Sequence, residues 1–445
     1  MRIMVIGAGQ VGSSIAANLA ESHEVVVIDL DAERVDELTY AVDVLSLQGD
    51  GTDVGILQEA GIEKTDLVIA STDNDETNIV TCGTVKTLTE AFTIARVKST
   101  RYLETWRNAQ GEALGVDFMV GTNILTAAEI VRIAGLPAAR DVDTFAGGSV
   151  QMAEFEIPAN SPIAGQTVQE ADRFDSLTFA AIIRPEELII PTGRTVIESG
   201  DDVVVIGSRA SVHDLAAEVS PLAGERANNI LIAGGSDIGF HVASLLEERD
   251  LSPRLLERDP ERARELAEEL PGTTVLETDA TDQDFLEREH IEQVDVVVGA
   301  LGDDERNLLA SLLTKRLGAD RAVAVVDDDN YVGLFEAVGV DVAVNPREVT
   351  AEEITRFTRG RHAENVALIG NDRAEVLEFE VDADSVLVGR PIREAMPDLP
   401  EGIVLGAVTR RGELIVPRGG TVLEEGDHVV VFVDADVIDE AEELL

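Results

Sequence analysis

Gly7-Ala8-Gly9-Gln10-Val11-Gly12 is the first stretch whose residue types and spacing point to chemistry. It follows an apolar run, Arg2–Ile6, and opens a helical pattern. In that setting Gly7 permits a tight turn, Gly9 lets a pyrophosphate approach the backbone, and Gly12 allows close helix–strand packing. Free amides at the helix N-terminus then face the anion. Asp29 ends the second apolar run, 22 residues after Gly7. An acid there hydrogen-bonds ribose hydroxyls and disfavours a 2′-phosphate, so NAD(H) or ATP/ADP is expected rather than NADP.

Three further loops follow strand-like runs. Gln48-Gly-Asp50-Gly-Thr52 is either a turn capped by Thr52 or Asp53, or a loop that places Asp50 and Thr52 beside the adenosine. Thr72 and Asp75 have capping-box spacing at the carboxyl end of the fourth run. Arg96, at the end of the fifth, is either a phosphate ligand or half of a surface ion pair.

The same signature returns in altered form as Gly234-Gly235-Ser236-Asp237-Ile238-Gly239. Glu257 matches Asp29, Asp279-Ala280-Thr281 matches Asp50-Gly51-Thr52, and Asn307 matches Asn78. Ser236 replaces Gly9, Val325 replaces Arg96, and Asp327 replaces Lys98. Losing a glycine and two cations while gaining Asp237 predicts weaker pyrophosphate binding, so the first site should dominate.

The elements that must position these residues alternate. Strands are predicted at Arg2–Ile6, Glu24–Ile28, Val44–Gln48, Leu67–Ala70 and Thr93–Val97. Helices fall at Ser13–Glu21, Ala32–Tyr40, Val54–Ala60 and Thr77–Leu88. Continuous Val/Ile runs between helices indicate a parallel, doubly wound sheet. A helix over Gly121–Gly135, capped by Thr122 or Asn123, has a counterpart in Glu348–Arg359; both are candidates for contacts across a two-fold axis to a partner chain.

From about Val150 to Ala217 short alternating strands replace this pattern, with a helix from about Ser211. That module repeats: Glu187–Gly207 returns as Glu413–Val433, 226 residues later. The chain is thus a tandem duplication, too long in period for a solenoid. The fold class expected is α/β, two doubly wound Rossmann-like domains each followed by a small α+β domain. Boundaries are 1–140, 141–222, 229–365 and 366–445, with a linker at Ser220–Asn228.

Of 445 residues 86 are acidic and 35 basic, giving a net charge of −51, which argues against nucleic acid and anionic lipid as partners. Lys64, Lys86, Lys98 and Lys315 are the only lysines. An acid-rich, lysine-poor surface suits molar salt, where the Debye length is about 3 Å, so a halophilic source is expected. No apolar run approaches the ~20 residues that span a bilayer, and the chain opens on a strand without a leader, which predicts a cytoplasmic protein. Cys82 is the single cysteine and is expected to be packed. His23, His213, His241, His290, His362 and His428 form no metal or triad pattern, and surface or capping roles are expected for them. No catalytic and no metal-binding residue is expected.

Gly7–Gly12, Asp29, Gly49–Thr52, Asp75–Asn78 and Ile94–Val97 resemble the N-terminal domain of the RCK family, regulators of potassium conductance. The blocks Pro191–Val205 and Pro417–Val431 resemble its C-terminal ligand-binding domain. Two such pairs in one chain are similar to the tandem-RCK peripheral subunits of potassium-uptake systems. The resemblance implies NAD(H) and ATP/ADP binding, assembly into a homo-oligomeric ring (dimer or tetramer), and gating of a membrane-embedded potassium transporter subunit of the Trk type without direct membrane insertion. It also implies that Gly7–Val11, Asp29, Thr72, Asp73 and Arg96 carry the first nucleotide, and that Gly234–Gly239, Glu257, Asp279 and Ala280 line the second site. The alternatives are an NAD-dependent dehydrogenase, for which no acid–base group near the nicotinamide can be named, and a scaffold with vestigial glycine turns.

Overall fold

The computed structural model describes residues 1–20, 23–109, 114–136, 139–184, 187–220, 228–359, 365–369, 373–382, 385–438 and 441. Residues 221–227 of the linker expected at Ser220–Asn228, and His362, lie outside them.

The first large unit runs β1 (Arg2–Ile6), α1 (Gln10–Ala20), β2 (Glu24–Asp29), α2 (Ala32–Ala41), β3 (Leu45–Gln48), α3 (Val54–Glu59), β4 (Leu67–Ala70), α4 (Asp75–Leu88), β5 (Phe92–Val97), α5 (Thr100–Asn108), β6 (Phe118–Gly121) and α6 (Thr122–Ala134). Its six strands are parallel in the order β3-β2-β1-β4-β5-β6, with Val5 opposite Val27 on one side and Ile69 on the other. Ile3 and Val5 feed the core on one face of the sheet, Met4 and Ile6 that on the other. The order in which strands are added to the sheet reverses between β1 and β4, which opens a crevice at their carboxyl ends.

A small unit follows: β7 (Ala139–Phe145), β8 (Val150–Glu156), α7 (Val168–Ala171), β9 (Leu177–Arg184), β10 (Glu187–Ile189), β11 (Asp202–Ser208) and α8 (Arg209–Val219). Its antiparallel sheet has the order β10-β9-β11-β8-β7.

The second large unit contains β12 (Ile230–Ala233), α9 (Asp237–Glu247), β13 (Arg254–Glu257), α10 (Pro260–Glu269), β14 (Thr274–Glu277), α11 (Gln283–Arg288), β15 (Val296–Gly299), α12 (Asp304–Arg316), β16 (Arg321–Val325), α13 (Asp329–Val338), β17 (Val342–Val344) and α14 (Pro346–Arg359). The last unit adds β18 (Asn365–Ile369), β19 (Ala374–Glu380), α15 (Ile392–Ala395), β20 (Ile403–Arg410), β21 (Glu413–Ile415) and β22 (His428–Asp434). Strand orders repeat those of the first half, β14-β13-β12-β15-β16-β17 and β18-β19-β22-β20-β21.

The two halves exchange helices. Ala127, Ile130, Val131 and Ala134 of α6 are buried in the core of the second large unit with Ile230, Val242 and Leu246. Ala351 and Ile354 of α14 are buried in the first, with Ile3, Ile15 and Leu19. Phe357 stacks between Phe92 and Phe118, at centroid distances of 5.4 and 4.3 Å. Arg321 donates to the carbonyls of Ile133 (3.1 Å), in the last turn of α6, and Leu136 (3.0 Å), just beyond it. The small sheets also share a core, in which Phe145, Met152 and Ile206 meet Val376, Val430 and Phe432. The two helices expected to reach a partner chain therefore close an internal two-fold instead.

Local expectations are also corrected. The N-cap of α6 is Gly121, with no side-chain cap, because the Thr122 hydroxyl accepts from Arg96 Nε at 3.1 Å. Asn74, not Thr72, caps α4, accepting from Thr77 N at 2.7 Å. His241 is not a surface residue: it is buried, and its Nε2 meets Thr100 Oγ1 of the other half at 2.8 Å.

Candidate functional site

The first glycine turn is built as its spacing requires. Gly7 has φ +104°, and a Cβ there would press on the Thr72 backbone at 3.1 Å. A Cβ on Gly12 would lie 1.8 Å from the Gly7 carbonyl oxygen, so helix and turn pack only through glycine. Gly9 is open, with Arg34 Nη1 at 3.6 Å as the only neighbour of an added Cβ. The Asp29 carboxylate accepts from Ala8 N (2.5 Å) and Asp31 N (2.8 Å), fixing the turn against the end of β2. Asp50 accepts from Thr52 N (2.9 Å) and Oγ1 (2.7 Å); these bonds hold its carboxyl below the usual range.

Opposite the turn, Asn78 organises the wall. It is fully buried; its Oδ1 accepts from Thr72 N (2.9 Å) and Oγ1 (2.6 Å), and its Nδ2 donates to the carbonyls of Thr72 (2.9 Å) and Arg96 (2.8 Å). Arg96 is only 3% exposed. Its Nη1 lies 3.4 Å from Asp73 Oδ1, and Lys98 Nζ reaches the same oxygen at 3.4 Å. Burial works to raise the Asp73 carboxyl, but Lys98 and Arg96 outweigh it and hold the group below its ordinary value.

These pieces enclose a cavity of about 870 Å³ lined by Gly7–Val11, Asp29, Asp50, Thr72, Asp73 and Arg96. Gly12 lies behind the turn, and Thr52 is turned onto Asp50 rather than into the cavity lining. The wall also includes Arg34, Asp329 and Arg347. The last two come from the second half, and no local pattern in the sequence marks them.

The second turn shares the scaffold. Gly234 has φ +115°, and a Cβ on Gly239 would lie 2.1 Å from the Gly234 carbonyl oxygen. Glu257 accepts from Gly235 N (2.9 Å) and Asp259 N (2.8 Å), as Asp29 does in the first half. Asn307 bonds Leu301 N (2.7 Å) and the Val325 carbonyl (2.8 Å), as Asn78 does its own pair. The anion seat differs. Ser236 caps α9 by accepting from Gly239 N at 3.2 Å, and Arg262 Nε donates to the Gly235 carbonyl at 3.1 Å. Asp237 stands in the first turn of α9, and its Oδ2 accepts from Asn123 Nδ2 at 3.4 Å. Asp279 accepts from Thr281 and pairs with Arg306 at 3.1 Å, while Ala280 is buried and Ile238 packs on the core.

A larger cavity, about 910 Å³, shares Gln10, Asp329 and Arg347 with the first and extends to Arg140, Glu154 and Glu352 beside the first small unit. Burial, with Asp202 adding and Arg140 opposing, pushes the Glu154 carboxyl up to about 7. Cys82 is buried and its thiol is pushed up to about 12. Among the described residues no group of three His, Cys, Asp or Glu is placed to hold a metal ion, and no helix is long and apolar enough to cross a membrane.

Comparison with known proteins places this geometry. The family model described as the TrkA-N domain matches residues 3–120 and 230–346, and that described as the TrkA-C domain matches 152–220 and 376–445. Trk system potassium uptake protein TrkA homolog 1 of Methanosarcina mazei is 37% identical over 453 residues, covering 99% of both chains. Trk system potassium uptake protein TrkA of Halomonas elongata is 34% identical over 441 residues, covering 97% of this chain and 96% of that protein. In fold the chain resembles the GsuK RCK domain, with a TM-score of 0.59, 20% identity, and coverage of 99% and 95%. It also resembles the GsuK channel bound to NAD, with a TM-score of 0.59, 21% identity, and coverage of 99% and 79%. Two glycine turns on two doubly wound sheets, each followed by its small antiparallel unit, thus have full-length relatives, and the chain belongs to the TrkA family.

Proposed function

We propose that this chain is a nucleotide-sensing regulatory subunit that gates a membrane potassium-uptake transporter of the Trk type. It acts without catalysing a reaction, from the cytoplasmic face, as a homo-oligomeric ring. NAD(H) and ATP or ADP compete for the first cavity. There Gly7–Gly12 seats the phosphates, Asp29 takes the ribose, and Thr72, Asp73 and Arg96 form the facing wall. Asp50 and Thr52 shape the adenosine side. Gly234–Gly239, Glu257, Asp279 and Ala280 form a second, weaker site. Domains 1–140, 141–222, 229–365 and 366–445 are the bodies whose relative angles change.

The observation that carries this reading is the 870 Å³ cavity over the first glycine turn, whose wall includes residues of both halves. A ligand there contacts both bodies, and it shifts their arrangement to the extent that its affinity differs between arrangements, a coupling of about 1–3 kcal/mol. The potassium-uptake relatives supply the transported ion. The net charge of −51 suits a high-salt cytoplasm. Titration calorimetry of the full chain in molar potassium chloride tests the reading: saturable heat with NADH, ATP or ADP is expected, and no heat with any of the three removes it.

A further inference from the structure

Each glycine turn is approached by the residue at one matched position on the exchanged helix of the opposite half, and these two residues differ in charge. Asn123 and Arg347 occupy the same place on the exchanged helices, each three residues before a matched threonine, Thr126 and Thr350, and nine before a matched arginine, Arg132 and Arg356. Arg347 follows Asn345, whose Oδ1 accepts from Arg347 N at 2.8 Å and so anchors the start of α14. Its half-buried side chain lines the first cavity. Among the described residues the Arg347 guanidinium has no hydrogen-bond or ion-pair partner. It also lies close enough to Arg96 to disfavour the charge on that buried cation. Two arginines that repel each other across a cavity, with the Asp73 carboxylate acting on both, mark a seat for a further anion.

At the second turn the matched position holds a neutral amide, and the anion is already part of the chain. Asn123 Nδ2 donates to Asp237 Oδ2 at 3.4 Å, and Asp237 occupies the place that Gln10 has in the first half.

We propose that Arg347 is the closing phosphate ligand of the first nucleotide site, supplied across the interface between halves, and that Asp237 held by Asn123 stands in for that phosphate at the second. The proposal rests on the nucleotide reading above and deepens it. The first interface is bridged by ligand; the second is bridged by the protein. A terminal phosphate carries more negative charge to Arg347 than the internal pyrophosphate of a dinucleotide does. The cross-half arginine thereby favours ATP over NADH.

The test is calorimetric titration of the full chain with ATP and with NADH in molar potassium chloride. The proteins are the wild type, Arg347→Gln, Arg347→Lys and Asp237→Gln, each with its thermal melt recorded. Arg347→Gln is expected to weaken ATP roughly tenfold to a hundredfold, as for a lost charge-assisted bond, and NADH by less than about threefold on the same scale. Arg347→Lys is expected to recover part of the ATP loss, which a packing defect would not do. Asp237→Gln is expected to strengthen ATP binding at the second, weaker site. Equal ATP affinity in wild type and Arg347→Gln overturns the assignment of Arg347, and unchanged affinity at the second site in Asp237→Gln overturns that of Asp237. A wild type that binds no nucleotide overturns the functional reading itself, an outcome distinct from both.

Discussion

Truncating Ile354 to alanine should destabilise the half of the protein to which Ile354 does not belong in sequence. The side chain is fully buried, in one core with Ile3, Ile15 and Leu19 of the first large unit. Removing it deletes methyl and methylene groups from a closed core and leaves a cavity, a change that costs about 2–5 kcal/mol. The protein has a single tryptophan, Trp106, and it lies in that first unit. Its Nε1 donates to the Val116 carbonyl at 2.7 Å, and its ring meets Phe118 edge-on at 6.3 Å. Phe118 in turn stacks on Phe357 of α14 at 4.3 Å. Tryptophan fluorescence in a urea titration, run in molar potassium chloride, therefore reports on the unit that α14 completes. Ile354→Ala should lower the stability read by Trp106 by the amount above. Leu334→Ala, at a side chain 49% exposed on α13, should stay within about 0.5 kcal/mol of wild type. A Trp106 transition unmoved by Ile354→Ala would refute the helix exchange on which the cross-half site depends.

Other consequences are more local. Gly12→Ala should abolish nucleotide binding, since its Cβ would meet the Gly7 carbonyl oxygen at 1.8 Å, whereas Gly9→Ala, with Arg34 at 3.6 Å, should retain a folded turn; calorimetry and a thermal melt read the two effects. Glu154 should make stability depend on pH. Its folded value is raised to about 7 from the ordinary 4.5, so its protonated form favours folding, and that contribution is present below about 4.5 and lost as pH rises through about 7. Glu154→Gln should flatten this part of a pH series of unfolding midpoints. Cys82, buried and with its thiol pushed up to about 12, should resist a thiol reagent at pH 8 in the native protein and react on unfolding.

What the sequence makes legible is what sits within one strand–turn–helix unit. The glycine turns, the acids Asp29 and Glu257 at the ends of β2 and β13, and the parallel order of the sheets all follow from local periodicity and spacing. Capping is less legible, because several side chains compete for the same amides. Asn74 wins over Thr72 since the Thr72 hydroxyl is engaged by Asn78, and Thr122 is taken from the α6 amides by Arg96. The four-residue strand Phe118–Gly121 offers too little alternation to be read alone. Burial of His241 and the reach of Arg347 and Asp329 into the first cavity depend on the two halves exchanging helices. An apolar helix face such as Ala351–Ile354 states that it needs a partner, not which sheet provides it.

On the reading proposed above, one nucleotide site is strong and joins the halves while the other is altered and already bridged. Amide hydrogen exchange of the full chain in molar potassium chloride, with and without saturating ATP, tests this most directly. Slowed exchange is expected at the Gly7–Gly12 turn and at the start of α14 near Arg347, with little change at the Gly234–Gly239 turn. Equal protection at both turns, or protection at the first turn with none at the start of α14, would contradict it.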